Sequence, residues 1–318
     1  MAPRHGQPPK IELRHLHRYY GTTRAVDDVS FSVYPGEVFG YIGPNGAGKT
    51  TSMRVLATLD LPTAGDAMVD GFSVVNDPDR VRLRLGFMPD YFGTYPNVNV
   101  REYLDFFARA YRFRHRDRED AVERVMAFTG LDVLAEKPTD GLSKGMKQRL
   151  CLGRALIHDP AVLVLDEPAA GLDPRARIEV RSMIRTLADQ GKTILISSHI
   201  LTELAEICDT VGIIERGQLL AVGTVEEIRR KLLKKHHAVE VRLLDNAAEL
   251  GRWLDDRPKV SELRIDGMAV RFLHEGDLEA EAGLLREMIT AGFRVVAFGT
   301  KEETLEDVFM HITTGQVQ

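Results

Sequence analysis

"EVFGYIGPNGAGKT", residues 37–50, decides the fold of this chain. The apolar run EVFGYIG (37–43) reads as a strand. It breaks into GPNGAGKT (43–50), which fits G-x-x-x-x-G-K-[ST]. From residue frequencies such a match arises by chance in about one chain in a hundred of this length. The context is the one the mechanism needs: a strand, a glycine loop, then a helix from Lys49 to about Leu59. Glycines let the backbone wrap closely and aim its N–H groups inward, and the helix N-terminus adds partial positive charge. Gly43, Pro44, Asn45, Gly46, Ala47 and Gly48 are the candidate phosphate cradle, with Thr51 behind them. Lys49 would reach the β- and γ-phosphates of ATP, and Thr50 would hold Mg2+. The alternative is a plain glycine-rich turn.

The second half of the site is AVLVLDEP (161–168). A buried strand here delivers Asp166 and Glu167 to the carboxyl edge of a sheet, where α/β folds bind ligands. Asp166 fits a Mg2+ partner through water, and Glu167, one residue on, suits a general base for the attacking water. Two adjacent acids can also simply end a strand.

Working outward, short β-rich runs open the chain at 11–17 and 29–33. A turn-rich stretch, LPTAGDAMVDG, leads to the strand LGFM (85–88). Residues 99–136 carry apolar residues at helical spacing, and a further helix is expected from Ser143 to His158. A long amphipathic helix after Pro174 precedes the strand TILIS (193–197). Apolar strands alternating with helices indicate an α/β fold around a parallel sheet, with 99–160 as a helical subdomain inserted into it. Composition shifts at RRKLLKKHH (229–237), read as a solvated helix end and linker that includes His236 and His237. Beyond it the order is strand (238–244), helix (247–255), strands (259–265 and 268–273), helix (277–291) and strand (293–298). That is the β-α-β-β-α-β pattern of a ferredoxin-like domain, followed by a last helix at 304–313. The expected division is a disordered tail at 1–10, an ATPase domain at 11–230 and an accessory domain at 231–318.

Composition sets outer limits. The 318 residues are 44% apolar and 28% charged, with a net charge of −5, ordinary for two globular domains. No global field favours nucleic acid. Two cysteines, Cys151 and Cys208, lie in helix-like segments without metal-ligand spacing, as expected for two buried thiols in a reducing compartment. No apolar run approaches the roughly 18 residues needed to span a bilayer, and the N-terminus has no apolar signal core. The expected location is the cytoplasm, with any membrane attachment supplied by a partner.

Between the two halves lies GLSKGMKQRLCLGRAL (141–156), and after them GLDP (171–174) and ISSHI (196–200). The full set, in this order, resembles the ATP-binding subunits of ABC transporters over residues 11 to about 230. The resemblance implies a P-loop NTPase with a RecA-like parallel core and an N-terminal antiparallel subdomain. It implies that Tyr20 stacks on adenine. It also implies that Ser143 and Gly145 contact the γ-phosphate of ATP held by a second subunit. Ser143 can cap the helix that follows it. Asp173 resembles the acid that links two sites across a dimer, and His199 the histidine that grips γ-phosphate and orients water. A homodimer, or pairing with a similar subunit, is implied, as is an integral-membrane permease.

Three departures stand out. Lys144 replaces a glycine of the usual signature and lies either near phosphate or in solvent. Ala170 stands where serine is common. Asp90, in GFMPDYFGTYP (86–96), occupies the place of the glutamine that binds Mg2+, contacts water and senses the permease. Carboxylates about 4 Å apart repel by about 4 kcal/mol at an effective dielectric of 20, so Asp90 in a closed site needs a cation. Either it ligates Mg2+ itself, or it points away and water completes the shell.

The leading expectation is the motor subunit of an exporter, with ATP closing a dimer and hydrolysis reopening it. The export direction rests on family analogy alone. The motion would act through the loop after Asp90 and the helices of 99–136. The alternatives are a soluble ABC ATPase acting on nucleic acid or ribosomes, and a regulatory, weakly active one. Against the first, the span from Lys49 to Ser143 leaves no room for long coiled-coil arms. Intact Glu167 and His199 argue against the second.

Overall fold

The computed structural model describes residues 6–91, 93, 95–200, 204, 206–228 and 237–301. Residues 1–5, most of the basic run at 229–237 and the expected helix at 304–313 lie outside them, as do Phe92 and Thr94. The chain divides into two compact units, Met1–Val225 and Glu226–Gln318.

The first unit is built on a six-stranded sheet. Its strands are β3 (Val38–Ile42), β6 (Leu85–Met88), β7 (Val162–Leu165), β8 (Thr193–Ser198), β9 (Thr210–Glu215) and β10 (Gln218–Gly223). They stand in the order β10-β9-β3-β8-β7-β6. Every neighbouring pair is parallel except β10 with β9. Every residue of β3, β7 and β8 is buried, as parallel strands covered on both faces require. A second, antiparallel sheet has the order β2-β1-β4-β5, from β1 (Ile11–Tyr20), β2 (Thr23–Val33), β4 (Ala64–Val69) and β5 (Phe72–Ser73). The two sheets share one core, where Phe31 of β2 stacks on Phe39 of β3 at 4.6 Å.

Helices α1 (Lys49–Leu56), α2 (Pro78–Arg82), α3 (Val100–Ala110), α4 (His115–Thr129), α5 (Lys144–Leu156) and α6 (Pro174–Asp189) complete the described unit. Asn99 starts α3 with a reciprocal cap: its side chain accepts from the Glu102 N–H, and the Glu102 carboxylate accepts from the Asn99 N–H. Such a cap contributes about 1 kcal/mol.

The second unit holds β11 (His237–Leu243), α7 (Ala247–Asp255), β12 (Val260–Asp266), β13 (Ala269–His274), α8 (Leu278–Thr290) and β14 (Val295–Lys301). Its antiparallel sheet runs β12-β13-β11-β14, the strand order of a ferredoxin-like fold. Val241, Leu250, Leu254, Val270 and Met288 are among its own buried core.

Three expectations need correction. Residues 64–69, read as turn, form β4 against β1. Lys10, assigned to the tail, is tied down: its N–H donates to the Val33 carbonyl at 2.8 Å, and its ammonium pairs with Asp70. Cys208, placed in a helix-like segment, sits in the turn before β9. The Cys151 thiol is buried in α5 and pushed up to about 12 by that burial.

Candidate nucleotide site

The sheet order places the site along one edge. The chain leaves the carboxyl ends of β3, β8, β7 and β6, four neighbouring strands, into the phosphate loop, His199, the Asp166–Glu167 pair and Asp90 respectively. Ligands of open α/β sheets bind at this edge.

The loop depends on its glycines. Gly48 has φ +107 and begins α1, and a Cβ there would lie 2.3 Å from the Ala25 carbonyl oxygen. A Cβ on Gly43 would lie 2.2 Å from the Ile214 carbonyl oxygen. The loop is also braced from behind. The Gly217 N–H, in the β9–β10 turn, donates to the Ala47 carbonyl at 2.9 Å, and the Asp27 N–H donates to the Gly217 carbonyl at 2.8 Å.

Lys49 is 6% exposed and donates to the carbonyls of Gly43 at 2.6 Å and Pro44 at 3.2 Å. Its ammonium stands 3.7 Å from Glu167 Oε1. Burial lowers its pKa, and the Glu167 and Asp166 carboxylates oppose that shift. Thr50 and Asn45 are exposed, while Thr51 and Pro44 are half-buried.

Asp166 is 1% exposed. Ser197, which sequence reasoning quoted but did not assign, fixes it. The Ser197 hydroxyl donates to Asp166 Oδ1 at 2.6 Å and accepts from the Glu167 N–H at 2.8 Å. Asp166 Oδ2 is buried with no hydrogen-bond partner among the described residues. A buried carboxylate oxygen left in this state fits a hard cation such as Mg2+. Among the described residues no cluster of three His, Cys, Asp or Glu side chains could hold a metal alone. A Mg2+ ion would therefore share Asp166 and Thr50 with the phosphates, its usual mode in nucleotide sites.

Glu167 has φ +48, a conformation that costs a non-glycine residue and recurs at functional sites. This turn aims its carboxylate between Lys49 and His199, whose Nδ1 lies 3.0 Å from Glu167 Oε2. A carboxylate only accepts, so the imidazole Nδ1 carries the proton.

Ser143 accepts from the Met146 N–H at 3.3 Å and caps α5, and Asp173 accepts from the Ala176 N–H at 2.9 Å and caps α6. Both line an open cleft of about 500 Å³ with Gly145, Arg149 and Arg175. No residue of the phosphate loop lines that cleft. The Lys144 side chain lies across Gly171, where a Cβ would meet its Nζ at 2.3 Å. Tyr20 is 46% exposed at the end of β1. Asp90 is exposed on the bend after β6, and nothing among the described residues hydrogen-bonds or pairs with its carboxylate.

Comparisons with known proteins place the chain in a family. The ABC transporter family model matches residues 26–170. The model of the "ATP-binding protein DrrA1-3-like, C-terminal domain" matches residues 223–313. The "Uncharacterized ABC transporter ATP-binding protein YxlF" of Bacillus subtilis is 34% identical over 95% of this chain and 99% of its own length. The "Probable multidrug ABC transporter ATP-binding protein YbhF" of Escherichia coli is 38% identical over 69% of this chain, an alignment that spans only 38% of that relative. A solved ATP-binding subunit of an ABC transporter superposes with a TM-score of 0.64 at 29% identity, covering 70% of this chain and 92% of that one. The chain belongs to the ABC transporter ATP-binding proteins, a family of P-loop ATPases.

Proposed function

We propose that the chain is the ATP-hydrolysing motor of an exporter, working as a dimer around two ATP molecules and driving a separate integral-membrane permease. The observation that carries this reading is the split between two half-sites. Lys49, Asp166, Glu167 and His199 gather at one sheet edge, whereas the caps of α5 and α6 present Ser143 and Asp173 in a cleft without phosphate-loop residues. Each half lacks what the other holds, so a second copy supplies Ser143 and Gly145 to the γ-phosphate.

In hydrolysis Lys49 and the loop N–H groups neutralise the β- and γ-phosphates; Thr50 and Asp166 would hold a Mg2+ ion, which would supply further positive charge there. Glu167 accepts the proton of the attacking water, oriented by His199. Tyr20 stacks on the base.

No helix among the described residues is long and apolar enough to cross a membrane, so transport requires a permease. An open groove lined by Phe87, Phe107, Tyr111 and Arg154, among others, supports docking of a permease segment against α3 and α5. A relative in Ralstonia nicotianae, 37% identical over 71% of this chain and 71% of its own length, is named "Nod factor export ATP-binding protein I", which supports export.

The test is Glu167→Gln. Turnover should fall about 10²- to 10⁴-fold, while ATP drives the variant into a dimer that size-exclusion chromatography resolves. A variant that stays monomeric at saturating Mg2+-ATP, or hydrolyses at the wild-type rate, contradicts the proposal.

A further inference from the structure

Arg18 and Tyr20 are two residues apart on β1 and so lie on the same face of the strand. The Arg18 guanidinium carbon stands 4.3 Å from the centroid of the Tyr20 ring. Asp60, from the loop after α1, joins both. One carboxylate oxygen pairs with Arg18 Nη2 at 2.8 Å, and the other accepts from the Tyr20 hydroxyl. The Leu61 N–H donates to Asp60 at 3.0 Å and fixes the carboxylate. The Arg18 and Asp60 side chains are 23% and 15% exposed. Tyr20 itself stays 46% exposed, so with one face covered by Arg18 its opposite face is open.

We propose that Arg18 and Asp60 are positioning residues: they clamp Tyr20 as a preset platform for the nucleotide base without touching the nucleotide. This rests on the reading of Tyr20 as the base-stacking residue. Two physical effects follow from the clamp. The ring is already immobilised, so binding loses less side-chain freedom. The cation also draws π density toward its own side, leaving the open face less electron-rich and better matched to a purine. Burial would raise the Asp60 carboxyl, but the Tyr20 hydroxyl and Arg18 hold it below its ordinary value, so the clamp is charged at neutral pH.

The experiment compares two probes on the full chain by calorimetry: Mg2+-ATP, and Mg2+ with inorganic tripolyphosphate, which has no base. Arg18→Ala and Asp60→Asn should each weaken ATP about three- to tenfold and leave tripolyphosphate unchanged. In steady-state turnover KM should rise by the same factor with kcat constant. Arg18→Lys should restore part of the loss. Tyr20→Phe, which keeps the ring and loses only the link to Asp60, should fall between wild type and Tyr20→Ala. Unchanged ATP affinity in Arg18→Ala and Asp60→Asn, with a loss in Tyr20→Ala, overturns the clamp and leaves Tyr20 its role. Unchanged affinity in Tyr20→Ala overturns the reading of Tyr20 itself. Tighter ATP binding in Arg18→Ala, or equal weakening of both probes, also overturns the clamp.

Discussion

Ser197 ties together Asp166 and Glu167, the two acids proposed to divide the chemistry. Its hydroxyl hydrogen points at Asp166 and its lone pair receives the Glu167 N–H. One small buried side chain thus holds the Asp166 carboxylate and the positive-φ turn that aims Glu167. Asp90 is the opposite case, exposed and unpaired among the described residues, yet two residues past Met88 at the end of β6, whose carbonyl accepts from the Asp166 N–H at 2.8 Å. We propose that it ligates Mg2+ in the closed dimer. Asp90→Asn and Asp90→Gln should each shift the Mg2+ concentration for half-maximal ATP hydrolysis upward by severalfold. If neither moves the Mg2+ titration, the metal role of Asp90 is wrong.

At the scale of elements, legibility followed burial. VLVL and TILISS were readable because all their residues are buried and no other pattern explains such runs. Residues 64–69 were not readable, because AGDAMV carries glycine and aspartate. Its pairing is set by a close approach that sequence does not display: a Cβ on Gly65 would lie 1.9 Å from the His15 carbonyl oxygen. In the site, Lys49, Asp166 and Glu167 could be read from motif mechanics. Ser197 could not, since a serine ending a strand has no signature until its neighbours are in place. The packing of α5 on β6 makes a further prediction. His158, just past α5, donates from Nε2 to the Leu85 carbonyl at 3.2 Å and stacks on Tyr111 at 3.9 Å. Burial pushes its pKa down to about 4, opposed by the Leu85 carbonyl. An unfolded histidine titrates near 6.5, so between about pH 6.5 and 4 the unfolded chain binds the extra proton. Stability therefore falls as the pH drops through that window, by about 3 kcal/mol at most. Thermal melts should show a steeper loss of Tm from pH 6.5 to 4 in the wild type than in His158→Phe. Parallel curves would count against a buried neutral ring.

At the scale of the whole molecule, each unit has its own core, with two sheets in the first and one in the second. The phosphate loop and the residues grouped with it all lie in Met1–Val225. A chain ended after residue 230 should therefore bind Mg2+-ATP within about twofold of the full chain, a difference of about 0.4 kcal/mol, and retain a cooperative melt. Loss of nucleotide binding in a folded truncation would mean that the second unit contributes to the site.

The brace behind the phosphate loop bears on how the protein is made. The loop is spelled at residues 43–50, but the turn that supports Ala47 arrives only at Gly217. During synthesis the ribosome delivers the loop, the signature and both acids long before that support emerges. Nascent chains therefore gain a competent nucleotide pocket late, when the first unit is nearly complete. A fragment ended between residues 200 and 216 keeps Lys49, Asp166, Glu167 and His199 but lacks the Gly217 brace, and it should bind Mg2+-ATP more weakly than the chain ended after residue 230.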